Sequence, residues 1–145
     1  MKKIAVLGCG NMAQAIILGL FKEAFELEYH TYTPSFHKAN KLALDVQGQA
    51  HSHLEKLPQC DYYMIACKPQ QFEELAKDLR NTVSKEATVI SILAGTTVKK
   101  IQYCLSIDSV LRVMPNTPSL VGHGVNALFF SDQVSSENKT FLTKM

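Results

Sequence analysis

The sequence lacks the features that mark a membrane-spanning, secreted or nucleic-acid-binding chain. No apolar run among its 145 residues approaches the roughly 20 residues that a membrane helix needs. The formal net charge is only +2, which is too small for a polybasic membrane surface or a nucleic-acid surface. The start "MKK" leads directly into a strand-like run rather than into the apolar core of a signal peptide. We therefore expect a cytoplasmic protein whose partners include neither nucleic acid nor membrane.

Paired cysteines are also missing. The four cysteines form no C-x-x-C pair and have no metal-site spacing: Cys9, Cys60, Cys67 and Cys104. Scattered single cysteines are typical of small apolar packing residues in a reducing compartment. His51 and His53 would share one face of a strand, but no further ligand lies near them in the sequence. The sequence therefore predicts no metal site.

The sequence contains no repeat, low-complexity tract or obvious linker. Its hydrophobic fraction is 46% and its charged fraction 19%, which is enough apolar material for a buried core and argues against disorder. We therefore predict one domain over residues 1–145.

Strand-like and helix-like segments alternate along the whole chain. The predicted strands are 3–7, 27–33, 49–51, 61–67, 87–93, 109–114 and 125–130. The predicted helices are 11–24, 36–45, 69–80, 97–105 and a last one over 135–145, with Ser35 and Thr96 or Thr97 as possible N-caps. Gly19 inside the first helix predicts close packing against a neighbour. This alternation predicts an α/β fold of the Rossmann type, a doubly wound and mostly parallel sheet with helices on both faces.

The segment "GCGNMA" follows the first strand and opens the first helix. Gly8, Gly10 and Ala13 occupy the three positions of the G-x-G-x-x-[GA] pattern. In that pattern the first glycine permits a tight turn and the second lets the backbone approach a pyrophosphate. The third position lets the helix pack closely on the strand. The free N–H groups of the helix start then face the phosphates, so the segment predicts a dinucleotide site.

The end of the second strand bears on the choice of cofactor. Sites for NAD usually carry an acid here that holds the ribose 2′-hydroxyl, but "TYTPSFHK" contains no acid. Thr33 and Ser35 offer hydroxyls, and His37 or Lys38 could add positive charge. This chemistry suits a 2′-phosphate and favours NADP(H), with NAD(H) still possible. The alternative is that the hydroxyls serve only as turn and cap.

Three further loops follow predicted strands: "ACKPQQ", "LAGTT" and "RVMPNTPSLVGHG". Because carboxyl ends of parallel strands line the ligand crevice, these loops should meet beside the cofactor. Lys68 is the only charged side chain in the first loop, and it could simply be solvated. Asn116 lies between two prolines and is a candidate for contact with substrate, although it could equally make the turn.

Together these motifs resemble those of the pyrroline-5-carboxylate reductase family, in order and across essentially the whole chain. "MPNTP" beside "AGTT" is the most specific part. The resemblance implies a two-domain reductase that transfers hydride from NAD(P)H to L-1-pyrroline-5-carboxylate and yields L-proline. The cofactor-binding positions that it implies are Leu7, Gly8, Cys9, Gly10, Asn11, Met12, Thr33, Ser35, His53, Ala66, Cys67, Lys68, Pro69, Ile92, Leu93 and Ala94.

The chain departs from the family in two respects. His53 stands where relatives often have an asparagine that contacts the cofactor. The sequence also stops inside the last predicted helix, so we expect the family's C-terminal helical domain to be absent. In the family that domain forms the homo-oligomer, holds the substrate and supplies most catalytic groups. We therefore expect little turnover from this chain by itself.

Two other functions remain open from the sequence. One is another NADP-dependent oxidoreductase on the same scaffold, such as a β-hydroxyacid dehydrogenase or a deazaflavin-dependent NADP reductase. The other is a nucleotide-binding module without catalysis.

Overall fold

The computed structural model describes residues 1–114 and 127–145 of the chain. Its strands are β1 (Lys2–Leu7), β2 (Leu27–Tyr32), β3 (Gln49–His51), β4 (Tyr62–Ile65), β5 (Thr88–Ser91), β6 (Val110–Met114) and β7 (Ala127–Phe130). Its α-helices are α1 (Asn11–Lys22), α2 (Phe36–Asp45), α3 (Phe72–Leu79), α4 (Val98–Leu105) and α5 (Ser136–Lys144). Two 3-10 turns, Leu54–Lys56 and Pro69–Gln71, lie before β4 and α3.

The described residues form one sheet of seven strands in the order β3-β2-β1-β4-β5-β6-β7. Neighbouring strands are parallel from β3 to β6, and only β7 runs antiparallel, beside β6. The direction of chain progression reverses between β1 and β4. In an open parallel sheet such a switch point leaves a crevice at the carboxyl ends of the two strands. The predicted doubly wound Rossmann-type fold is confirmed.

Two apolar cores lie on opposite faces of the sheet. Helices α3 and α4 cover one face, where Leu7 and Ile65 of the central strands are fully buried. Helices α1, α2 and α5 cover the other face, where Val6 and Met64 are buried. Because both faces are covered, the central strands read as continuous apolar runs rather than alternating ones.

Helix α5 docks at the amino ends of β4 and β5, away from the crevice. The Tyr62 hydroxyl donates to Oδ1 of Asn138 at 3.1 Å, and Nδ2 of Asn138 donates to the Thr88 hydroxyl at 3.2 Å. The Phe141 ring stacks on the Tyr62 ring with centroids 5.5 Å apart. This contact closes the core at the amino end of the sheet. None of the described helices has the length and apolarity to cross a bilayer.

The observed elements differ from the predicted ones mainly at their ends. Helix α1 stops at Lys22, because Ala24 takes a left-handed φ of 57° that an α-helix cannot contain. Strands β2 and β6 are one residue shorter than predicted, β4 and β5 are three residues shorter, β3 has the predicted bounds and β1 is one residue longer. Residue 125, the predicted start of the last strand, lies outside the described residues. At the start of α4 it is Thr97 that caps, since its hydroxyl accepts from the N–H of Lys100 at 3.1 Å.

The predicted close packing at Gly19 is wrong. Gly19 is exposed, and a Cβ built on it would meet nothing within 4 Å. The position that has no room for a side chain is instead Gly48, which follows α2. A Cβ there would lie 2.4 Å from the carbonyl oxygen of Tyr29 and 2.9 Å from its Cβ. Gly48 therefore lets the chain pass directly against β2 on its way into β3.

We predict opposite effects of the same change at these two glycines. Gly48→Ala should lower the free energy of unfolding by about 2 kcal/mol, because the new methyl group collides with the β2 backbone. Gly19→Ala should raise it by about 0.5–1 kcal/mol, because alanine is the better helix former in open space. Chemical denaturation followed by circular dichroism measures both. Equal effects of the two changes would contradict this account of the packing.

Candidate cofactor site

The glycine turn after β1 is held on both sides by neighbouring strands. The Gly8 N–H donates to the carbonyl of Tyr32 in β2 at 2.9 Å, and the N–H of Ala66 donates to the carbonyl of Leu7 at 2.8 Å. Gly8 has a φ of +102°, which disfavours any residue with a side chain. A Cβ on Gly8 would also lie 2.6 Å from backbone atoms of Ala66 and Cys67. Gly8 is thus the point where β1 turns away beneath the end of β4.

Helix α1 begins immediately after this turn with its N–H groups available. Gly10 is its N-cap, no side chain caps the helix, and its first turn contains no acid. A Cβ on Gly10 would meet nothing within 4 Å, so the space in front of the helix start is open. Ala13 is buried against the sheet. Free N–H groups and the positive end of the helix dipole make this position favourable for an anion such as a pyrophosphate.

A cleft of about 240 Å³ opens beside the turn, at the carboxyl ends of β1, β2 and β4. Four of the predicted cofactor residues lie in its wall: Leu7, Gly8, Thr33 and Cys67. The remaining lining residues are Tyr32, Pro34, Leu54, Gln71, Glu74, Leu75 and Asp78. Its lining is mostly apolar with a few polar side chains, as is usual for small-molecule sites.

Most other predicted residues flank these four along the chain. Cys9 is buried behind the turn, Asn11 is exposed and Met12 is half-buried at the start of α1, and Ser35 follows the lining residue Pro34. His53 is exposed beside the lining residue Leu54, with its Nδ1 atom 2.9 Å from the Ser52 hydroxyl. Ala66, Lys68 and Pro69 flank Cys67, and Lys68 is exposed.

The predicted residues after β5 lie outside this cleft. Ile92 lines a separate apolar cavity of about 70 Å³ between the sheet, α1 and α5, and Leu93 is buried in the core. Ala94 and Gly95 are exposed at the carboxyl edge of the sheet, and Gly95 has a φ of +67°. Asn116 lies outside the described residues. A contact of these positions with the nicotinamide end of a cofactor stays a prediction.

The histidine pair at 51 and 53 is not brought together. Strand β3 ends at His51, whose Nε2 atom is 3.0 Å from Nδ1 of His30. The His53 ring instead forms a hydrogen bond with the Ser52 hydroxyl. Within residues 1–114 and 127–145, no three His, Cys, Asp or Glu side chains are grouped as a metal site requires.

Helix α3 and the 3-10 turn before it contribute cleft residues that the sequence did not predict. Gln71, Glu74, Leu75 and Asp78 all line the cleft, and their spacing of three or four residues places them on one face of a helical segment. That spacing was available in the sequence as a signal, because this helix follows a strand end. The result is a cleft with one acidic wall.

The acidic wall influences a tyrosine on the opposite side. Burial raises the pKa of Tyr32, and the carboxylates of Asp78 and Glu55 raise it further. Burial also raises the pKa of the Cys67 thiol, so this thiol stays protonated at neutral pH.

The predicted cap role of Ser35 is not confirmed, because Ser35 stands at the N-cap position of α2 without a side-chain capping bond. Its exposed hydroxyl is therefore not committed to α2.

A glycine-rich turn that opens a helix at the switch point of a parallel sheet is typical of the cofactor-binding domains of NAD(P)-dependent oxidoreductases. Sequence comparison agrees. A family model described as "NADP oxidoreductase coenzyme F420-dependent" matches residues 3–95, and the chain belongs to that family.

Individual relatives give a narrower comparison. The chain is 36% identical over 143 residues to a pyrroline-5-carboxylate reductase of Haemophilus influenzae, covering 97% of this chain and 52% of that protein. It superposes on the solved pyrroline-5-carboxylate reductase of Coxiella burnetii with a TM-score of 0.87 and 25% identity, covering 99% of this chain and 54% of the other. For a Plasmodium falciparum pyrroline carboxylate reductase solved with NADP bound, the TM-score is 0.81 at 26% identity, covering 99% and 53%.

These comparisons confirm the resemblance to pyrroline-5-carboxylate reductases. The chain spans about half the length of the curated relatives that it matches.

We predict that the two glycines of the turn differ in what they contribute to folding. Gly8→Ala should lower the free energy of unfolding by about 2 kcal/mol or more, since it adds both strain at positive φ and a collision with the β4 end. Gly10→Ala should change it by less than about 1 kcal/mol, because the position is open and has an ordinary φ. Denaturant titration of both variants checks this. A Gly8→Ala variant as stable as the parent would contradict the described geometry.

Proposed function

We propose that this chain is the NADP(H)-binding part of a pyrroline-5-carboxylate reductase, which reduces L-1-pyrroline-5-carboxylate to L-proline in the last step of proline biosynthesis. The observation that carries the proposal is the continuous similarity to pyrroline-5-carboxylate reductases along 97% of the chain. The proposal includes a cytoplasmic location, a homo-oligomeric whole protein, and a helical C-terminal domain that completes the substrate site.

The open space at Gly10 supports the fit of a dinucleotide. A pyrophosphate lying there would accept hydrogen bonds from the uncapped N–H groups at the start of α1. The adenine ring would then enter the cleft between Leu54 and Leu75, which offer apolar contact. When bound, the cofactor supplies the hydride at its nicotinamide ring.

The distribution of charge around the cleft supports NADP(H) over NAD(H). The acids Glu74 and Asp78 lie on the α3 wall, where they would repel a phosphate. No acid lies in the first turn of α2 on the other side, where Thr33 and Ser35 present hydroxyls. A 2′-phosphate placed at that edge would accept hydrogen bonds from both hydroxyls and meet the positive end of α2.

The chemistry of the proposed substrate requires little from this part of the protein. A protonated cyclic imine is already electrophilic, so the main requirement is alignment of the ring carbon with the nicotinamide hydride. No nucleophile is needed, and we assign no catalytic residue to this chain. Asn116 is proposed to lie near the substrate.

The description of the family model favours one alternative. A reductase that exchanges hydride between NADP and the deazaflavin coenzyme F420 would use the same glycine turn. The absorbance of F420 changes on reduction, so incubation of the whole protein with NADPH and F420 distinguishes this activity from imine reduction.

We predict that the chain binds NADPH more tightly than NADH. Replacing Thr33 with valine and Ser35 with alanine should weaken NADPH binding about tenfold or more, the loss expected for hydrogen bonds to a charged group, and leave NADH binding nearly unchanged. Gly10→Ala should weaken both, because the new methyl group occupies the pyrophosphate space. Titration by fluorescence of the reduced nicotinamide measures all of these. Thr143→Val on α5, at the other end of the sheet, is the matched control. Clearly tighter NADH binding by the parent chain would overturn the NADP assignment.

We also predict that the isolated chain reduces L-1-pyrroline-5-carboxylate slowly or not at all, even with NADPH bound. The expected reason is that groups holding the substrate carboxylate lie in the other half of the family's proteins. Oxidation of NADPH followed at its absorbance maximum provides the measurement. Full reductase activity of these 145 residues would show that the assignment of the substrate site to another domain is wrong.

A further inference from the structure

Three ionisable side chains form a hydrogen-bonded chain across β2 and β3, next to the cleft. Oε1 of Glu28 lies 2.9 Å from Nε2 of His30, and Nδ1 of His30 lies 3.0 Å from Nε2 of His51. His30 is only 2% exposed, and the two imidazole rings are 5.2 Å apart. We call these three residues the histidine relay.

While His30 is neutral, the carboxylate at one end sets the direction of the relay. An ionised carboxylate only accepts hydrogen bonds, so the hydrogen of a neutral His30 is on Nε2. Its Nδ1 atom then accepts from the Nε2–H of His51. This leaves Nδ1 of His51 free to take a proton without breaking either bond. A protonated His51 therefore keeps its place in the relay and adds a positive charge at its outer end.

The strand register places His51 beside the residue that precedes the proposed 2′-phosphate edge. His51 pairs in register with Tyr32, and each is the last residue of its strand. The next residue after Tyr32 is Thr33, in the cleft wall. With strands about 4.8 Å apart and consecutive Cα atoms about 3.8 Å apart, the Cα atoms of His51 and Thr33 are roughly 6 Å from each other.

The charged groups around the relay come from several elements. On β1, the ammonium group of Lys3 lies 3.8 Å from Oε1 of Glu28. On the cleft side, Asp78 of α3 and Glu55 of the 3-10 turn act on the neighbouring Tyr32. The buried residues of α2 pack on the opposite face of the sheet, with the core that contains Tyr29.

Burial lowers the pKa of His51, and the positive charge that His30 carries when it is itself protonated lowers the pKa of His51 further. The His51 ring is therefore neutral at pH 7 and gains its proton on the acid side of the ordinary histidine range. His51 therefore carries its positive charge at low pH and loses it as the pH rises through its lowered pKa.

We propose that His51, held by Glu28 and His30, is a specificity-determining residue whose protonation raises the preference of the cleft for a dinucleotide with a 2′-phosphate over one without. This inference rests on the proposed NADP(H) site. It makes cofactor choice depend on pH through a residue that need not touch the cofactor. Coupling is reciprocal, so a bound 2′-phosphate also favours the proton on His51.

The first test compares NADPH and NADH binding between pH 5.5 and 8 for the parent chain and His51→Gln. Glutamine keeps an N–H donor toward His30 but cannot be charged. The ratio of NADPH to NADH affinity should rise about two- to fivefold in the parent relative to the variant as the pH falls, the effect of one partly screened charge near a phosphate. The ionisation of the 2′-phosphate itself is common to both proteins and cancels in this comparison.

The second test follows the His51 imidazole by NMR during a pH titration. Saturation with NADPH should raise its titration midpoint by about 0.3–0.7 pH units, the logarithm of the two- to fivefold change, whereas NADH should leave it in place. A residue with a merely structural role would show no such difference between the two dinucleotides.

A pair of glutamate variants tests the relay itself in the cofactor-free chain. Glu28→Gln should lower the His51 midpoint, because the carboxylate that attracts the proton is gone. Glu26→Gln removes the same charge two residues away, at an exposed position outside the relay, and should leave the midpoint unchanged. Equal shifts in both variants would overturn the relay.

Two further outcomes would also count against the proposal, and they differ from failure of the proposed function. Identical pH dependence in the parent and His51→Gln, or no shift with NADPH, overturns the role of His51 while NADP(H) binding stands. Binding of neither dinucleotide at any pH overturns the proposed function and this inference with it, although the glutamate pair still decides whether the relay exists.

Discussion

The site depends on one close approach, that of the Gly8 backbone to the end of β4. The turn passes so near Ala66 and Cys67 that a single added carbon would overlap their backbone atoms. Hydrogen bonds from β1 to β2 and to β4 flank this point, so the turn cannot shift independently of the sheet. As a result, the start of α1, the carboxyl end of β4 and the edge of β2 keep fixed positions relative to one another. The proposed dinucleotide would then meet groups that are already in place.

The cleft separates its charges by element. Helix α3 brings carboxylates to one wall, while the edge made by β2 and the start of α2 carries hydroxyls and an uncapped helix start. Both sets result from local sequence: α3 carries Glu74 and Asp78 on the face that lines the cleft, and the second strand ends without an acid. In water-accessible clefts such a division affects orientation and choice of ligand more than total affinity. The histidine relay adds a third contribution at the same edge, with a charge that depends on proton concentration.

The sheet, the order of the strands and helices, and the glycine turn could all be predicted from the sequence, because hydrophobic periodicity and turn-forming residues are local properties of the chain. It was less informative about contacts between distant segments. Gly19 and Gly48 look alike in the sequence, yet only Gly48 meets a neighbouring strand. The bond between His30 and His51 joins residues 21 positions apart, and it depends on the register of β3 against β2. Asp78 and Glu74 become cleft residues only because α3 rotates that face toward the switch point. These contacts depend on how whole helices and strands pack together, and no short sequence motif specifies that packing.

The two edge strands have a consequence for how the protein behaves in concentrated solution. Strand β3 has three residues and β7 has four, so each free edge offers few unpaired backbone groups. A strand from another molecule could gain only a few hydrogen bonds there, and the fully buried apolar strands β4 and β5 are enclosed in the middle of the sheet. Within residues 1–114 and 127–145, the shortness of the two edge strands thus limits edge-to-edge association of the seven-stranded sheet.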